Sequence, residues 1–128
     1  MLFLPFMLQH PFDLSFTNSI YLAPTVEKFH VTGSEIRLDE IQTRSWGVVE
    51  YYGLPGVLKE ENGELSLQKI GFHQPRLRLR IGFIGKQKLV WNGKTYPLYE
   101  WSEAGDVLIL DLVSLSPVEY LYKKLMRR

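Results

Sequence analysis

From Phe12 to Ile20 apolar and polar residues alternate with period two. Phe12, Leu14, Phe16, Asn18 and Ile20 stand against Asp13, Ser15, Thr17 and Ser19. Strand side chains point alternately to the two faces of a sheet, so this spacing calls for a strand with one apolar face. After a break at Ala23-Pro24 the pattern resumes, with Thr25, Glu27, Phe29 and Val31 on a shared face. Asn18 and Glu27 therefore fall among apolar neighbours. A buried amide or carboxylate without partners costs roughly 2–7 kcal/mol, so two of them on neighbouring strands suggest a polar site.

Turn signals recur along the rest of the chain at Thr32-Gly33-Ser34, Asn62-Gly63, Asn92-Gly93 and Ala104-Gly105-Asp106. Asn-Gly between alternating runs is a strong hairpin signal, because a type I′ turn needs positive φ at both central residues. The flanking runs predict strands over 13–20, 25–31, 35–43, 64–70, 76–83, 87–91, 94–101 and 107–113. About eight short antiparallel strands with little helix predict a β-sandwich or partly closed barrel. With 128 residues and no linker or repeat, the chain reads as a single domain, 1–128.

One helix is predicted, over 116–128. Ser116-Pro117-Val118-Glu119 has the capping-box form, and Val118, Leu121, Tyr122, Leu125 and Met126 follow at helical spacing. Lys123, Lys124, Arg127 and Arg128 occupy its other side. Such a helix suits a lid over an open sheet end, or contact with an anionic membrane. Residues 1–11 are apolar but short and carry Pro5, and they read as an edge strand or core-packing arm. The alternative is the remnant of a longer membrane leader, since neither a complete signal peptide nor a spanning helix can be read there.

The net charge of +1 argues against a nucleic-acid partner. With no cysteine there is neither a disulfide nor a thiolate metal site. His10, His30 and His73 lack the spacing a zinc site favours, and there is no phosphate loop, dinucleotide fingerprint or nucleophile elbow. No cofactor, metal or catalytic residue is assigned on this reading.

Three further features bear on function. In 35–43, Ile36, Leu38 and Glu40 share a face, so three strands adjacent in one meander would bring Glu40 to the polar set of Asn18 and Glu27. Two carboxylates and an amide suit a hard cation, a cationic ligand or acid–base work. Alternatively, Glu27 and Glu40 emerge at an edge and pair with Lys28, Arg37 or Arg44. Residues 47–56 read as the longest irregular region, flanked or lined by Trp46, Tyr51, Tyr52, Leu54 and Pro55, and this loop is either a pocket wall or partner-contact surface, or a segment folded on its own side chains. Arg76, Arg78 and Arg80 alternate with Leu77, Leu79 and Ile81, and form either an anion-facing ladder or a solvated outer face.

Phe16-Thr17-Asn18-Ser19-Ile20, then Pro24 and Glu27-Lys28-Phe29, resembles the opening motif of the family called domain of unknown function 1850. The similarity continues through Glu40, Ser45-Trp46-Gly47, Gly53-Leu54-Pro55, the 77–82 run and the turn at Asn92-Gly93. Asn18 stands where the family usually has histidine, and Tyr21 where it has its first glutamate. A role for imidazole in that family is thereby weakened in this chain. The resemblance carries over at Ser19, Pro24, Glu27, Glu40 and Trp46. It implies an extracytoplasmic accessory role beside tripartite transporters of the TAXI class.

The leading expectation is a non-enzymatic accessory or small-ligand-binding domain associated with such a transporter. Asn18, Ser19, Glu27, Glu40 and Trp46 are its candidate ligand-binding residues, and a transporter subunit or a small polar solute its partner. The competing expectation is a protein–protein module that uses Trp46, Tyr51, Tyr52, Arg76, Arg78 and Arg80. A hydrolase or isomerase with Glu27 and Glu40 as acid and base stands third. Membrane association is expected only through a missing leader or the terminal helix.

Overall fold

The computed structural model describes residues 11–32, 35–74, 76–80, 84–100 and 107–111. Within them the chain runs β1 (Phe12–Asn18), β2 (Ala23–Thr32), β3 (Glu35–Thr43), α1 (Trp46–Tyr52), β4 (Val57–Glu61), β5 (Glu64–Gln74), β6 (Arg76–Arg80), β7 (Lys88–Trp91), β8 (Lys94–Pro97) and β9 (Val107–Asp111). A 3-10 turn over Leu98–Glu100 follows β8. Seven strands form an open antiparallel sheet in the order β4-β5-β3-β2-β1-β7-β8, and β6 and β9 make a separate two-stranded ribbon. The all-β, sandwich-like architecture follows from the strand alternation and the turns. The predicted terminal helix, the arm over 1–10 and the turns at 33–34 and 104–106 lie outside the described residues.

Both Asn-Gly turns form as their chemistry requires. Asn62 and Gly63 have φ of 52° and 81°, and Asn92 and Gly93 have 50° and 76°. They join β4 to β5 and β7 to β8 in tight hairpins. The sequence reading of 47–56 as irregular is corrected by α1. Ser45 caps this helix by accepting a hydrogen bond from the Val48 amide at 3.3 Å, and Gly53 ends it in the left-handed conformation at φ 59°. Two glycines nearby mask so short a helix in a periodicity reading. β4 was likewise not foreseen. All five of its residues are exposed, so it has no apolar face to betray it.

One face of the large sheet carries the core. Phe12 pairs with Phe29 across β1 and β2, their rings stacked 5.1 Å apart. Leu14, Ile36, Leu38, Ile41, Leu67, Leu89 and Leu98 pack around them, and Leu77 of β6 closes over this face. Each such side chain contributes about 1.5–3 kcal/mol by leaving water.

A β-bulge reshapes β3. Lys28 pairs with Glu40 and Phe29 with Leu38, which leaves Asp39 as an extra residue opposite no partner on β2. His30 Nδ1 holds Asp39 Oδ2 at 2.6 Å. The extra residue inverts the alternation from that point. Ile41 takes the core face, paired with Glu27, and Glu40 turns to the other side. The expected convergence of Glu40 with Asn18 and Glu27 is corrected by this bulge.

Candidate functional site

Asn18 ends β1 on the core face, opposite Ala23. Its Oδ1 accepts hydrogen bonds from the Ile20 and Tyr21 amides, both at 3.0 Å. The amide is thus satisfied within its own hairpin turn and fixes the β1–β2 connection. Ser19 is exposed in that turn. Neither is among the described residues that line the cavity bordered by Glu27.

Glu27 lies further along the same face, paired with Leu14 on β1 and Ile41 on β3. It lines a cavity of about 410 Å³. The floor is the sheet, through Leu14, Phe16, Phe29 and Leu38. Leu77 and Leu79 of β6 face it, and Tyr52 and Leu54 close one side. Phe72, Gln74 and Gln87 complete the lining. Glu27 is partly buried where it borders this space.

Tyr52, the last residue of α1, donates its hydroxyl to Glu27 Oε2 at 2.7 Å. Burial raises the Glu27 carboxyl above the usual carboxylate range, and the Tyr52 hydrogen bond offsets part of that rise. Burial also pushes the Tyr52 hydroxyl above its usual range, and the adjacent Glu27 charge adds to the effect. The capped helix sets this geometry. Ser45 also donates its backbone N–H to Thr43 Oγ1 at 3.2 Å, which ties the start of α1 to the end of β3.

The other candidates are dispersed. Glu40 accepts from Gln42 Nε2 at 2.5 Å and lines a second cavity with Asp13, Lys28 and Asp39, on the opposite face of the sheet. Trp46 and Tyr51 are 51% and 63% exposed on α1. Tyr52, grouped by sequence with these contact residues, instead turns inward to Glu27. Arg76, Arg78 and Arg80 sit on β6, but their side chains fall outside the described set. Among the described residues no group of three or more His, Cys, Asp or Glu side chains converges to hold a metal ion. Nor is any helix among them long and apolar enough to cross a membrane.

Gln74 and Gln87 were not found from the sequence. Neither belongs to a motif, and only strand order brings β5 and the segment before β7 to the same cavity. A carboxyl beside a tyrosine hydroxyl in a mostly apolar space can receive a small ligand with one polar group.

Residues 12–98 match a family model described as Domain of unknown function (DUF1850). No curated protein and no solved structure matches the chain.

Proposed function

The chain belongs to the DUF1850 family, and from that premise we propose that it is an accessory domain that binds a small, largely apolar ligand between its sheet and β6. The observation that carries this reading is the Glu27–Tyr52 pair inside a 410 Å³ cavity whose other walls are mainly aliphatic and aromatic. Apolar walls supply affinity by desolvation, and a single polar pair fixes orientation. We place this role beside a TAXI-type tripartite transporter, on its extracytoplasmic side, as the resemblance in the 16–29 motif implies.

The site that supports binding is smaller and differently composed than the sequence suggests. Glu27 is retained and Tyr52 joins it, while Asn18 serves its turn and Glu40 faces away. Acid–base work shared between Glu27 and Glu40 has no geometric support, because the sheet lies between them. A thermal-stability screen of small amphiphiles tests the proposal. Ligands that raise the wild-type midpoint and lose that effect in Leu77→Trp, which fills the cavity, support it. No stabilisation by any amphiphile counts against it.

A second reading is favoured by one observation. Ile20, Tyr21, Leu22, Trp46 and Ile84 are all exposed, and they belong to segments at one end of the sheet. The Tyr21 ring covers Gly47, and the Thr17 amide bonds to the Gly85 carbonyl at 2.8 Å. An apolar end of this kind suits docking to a transporter subunit. Loss of binding to that subunit in Trp46→Ala/Tyr21→Ala, with ligand response intact, separates this reading from the first.

A further inference from the structure

Among the described residues, Glu27 is the one carboxyl that lines the cavity, and no cationic side chain lines it with Glu27. Around it, α1 presents Tyr52, β5 presents Gln74, and the segment before β7 presents Gln87. The other described lining residues of the sheet and β6 are Leu14, Leu38, Leu77, Leu79 and the rings of Phe16, Phe29 and Phe72. Lys28 and Glu40, the nearest charged neighbours along β2 and β3, point to the opposite face. Among the described residues that line this space, no lysine, arginine or histidine offers a positive charge. Tyr52 occupies Oε2, so the approach to Oε1 is not taken by that hydroxyl.

Deepening the binding role proposed above, on which this inference rests, we propose that the ligand is an amphiphilic primary amine. Its ammonium group pairs with the Glu27 carboxylate, and its hydrocarbon body lies between the sheet and β6. An ammonium ion has three N–H donors and no acceptor, which suits a carboxylate in a space that is otherwise mainly apolar. Where Glu27 is ionised, an anionic ligand meets a like charge. A neutral alcohol gains the apolar contacts but leaves the carboxyl without a counter-charge.

The pairing changes the protonation of the site. Burial favours the neutral carboxyl in the free protein, and an ammonium beside it favours the carboxylate. Below the free-state midpoint of Glu27, binding therefore converts a carboxylic acid and an ammonium ion into an ion pair and releases one proton to solvent. Proton and ligand compete, so affinity falls as pH falls through that midpoint.

Hexylamine, 1-hexanol and hexanoate share a six-carbon body and differ in the head group. Isothermal titration of wild type and Glu27→Gln with each, in two buffers of different ionisation enthalpy, reads both affinity and protons exchanged. The expected result is hexylamine binding at least about tenfold more tightly than 1-hexanol to wild type. Proton release approaches one per amine at the acid end of the range, and hexanoate does not bind at the alkaline end, where it and Glu27 are both ionised. In Glu27→Gln the amine preference and the proton release disappear while 1-hexanol still binds, which also shows that the variant is folded. Equal binding of amine and alcohol, or amine binding without proton release at any pH, overturns the amine assignment and leaves the cavity reading standing. Failure of all three to bind wild type overturns both.

Discussion

The Tyr52 hydroxyl donates to Glu27 Oε2 across 2.7 Å, joining the last residue of the short helix to the centre of strand β2. The two residues are 25 positions apart in sequence, and the contact exists only because α1 folds back over the core face of the sheet. It makes a carboxyl tolerable in an apolar setting, and it couples the helix to the cavity.

Glu27 sets a pH dependence of stability with a definite sign. Its folded-state pKa lies above the unfolded value of 4.5, so the folded protein holds the proton more tightly. The stabilisation this confers is complete below pH 4.5 and is lost as pH rises through the raised value. Glu27→Gln stays neutral throughout. It is expected to be more stable than wild type once the carboxyl is ionised, with the difference shrinking towards acid pH. Urea midpoints of the two proteins across that window check this, and a constant difference would sink it.

Removing the donor destabilises instead. Tyr52→Phe keeps the ring and deletes the hydroxyl, leaving Glu27 with one hydrogen bond fewer. The expected cost is about 1–3 kcal/mol when Glu27 is ionised, because a desolvated acceptor is left unmet. The Glu27 midpoint rises further, since the hydrogen bond that lowers it is gone. Carbon-13 NMR titration of the Glu27 carboxyl measures that midpoint directly, and an unchanged or lower value contradicts the prediction.

Asn18 is predicted to act through its oxygen alone. Both of its hydrogen bonds are accepted by Oδ1 from turn amides. Asn18→Asp keeps that acceptor and is expected to cost less than about 0.5 kcal/mol, whereas Asn18→Ala abandons two amides and costs about 1–2 kcal/mol. Chemical denaturation of the two variants ranks them. If Asp proves as damaging as Ala, the amide nitrogen has a role that the turn does not explain.

These residues also show what a period-two reading captures and what it misses. Alternation placed Asn18 and Glu27 on the core face, and both lie there. It could not distinguish a polar group satisfied by its own turn from one that lines a cavity, because that depends on local hydrogen bonds. Glu40 was assigned to the wrong face for a single reason, the extra residue Asp39. No glycine or proline marks that bulge, so an unbroken count carries through it. The helix carrying Tyr52 is seven residues long, too short for periodicity to outweigh its glycine-rich flanks. The type I′ turns were legible because their φ requirement selects Asn-Gly almost uniquely.

Two glycines beside β4 separate steric from conformational cost. A Cβ on Gly56 stands 2.6 Å from the Gln68 carbonyl oxygen and 2.9 Å from Leu67 Cδ1. Backbone cannot yield as a flexible side chain does, so Gly56→Ala must push the start of β4 away from β5, where Val57 pairs with Gln68. Gly63 has φ +81° with open space around it, so Gly63→Ala carries backbone strain alone. The expected costs are about 1–3 kcal/mol for Gly56→Ala and about 1 kcal/mol for Gly63→Ala. Amide hydrogen exchange distinguishes their origins. Gly56→Ala is expected to lose protection first at the Val57 end of β4, and Gly63→Ala at the Glu61–Glu64 end. Because β4 is an edge strand remote from Glu27, neither substitution should alter hexylamine affinity beyond about twofold. A larger loss would mean that β4 and the cavity are coupled through β5.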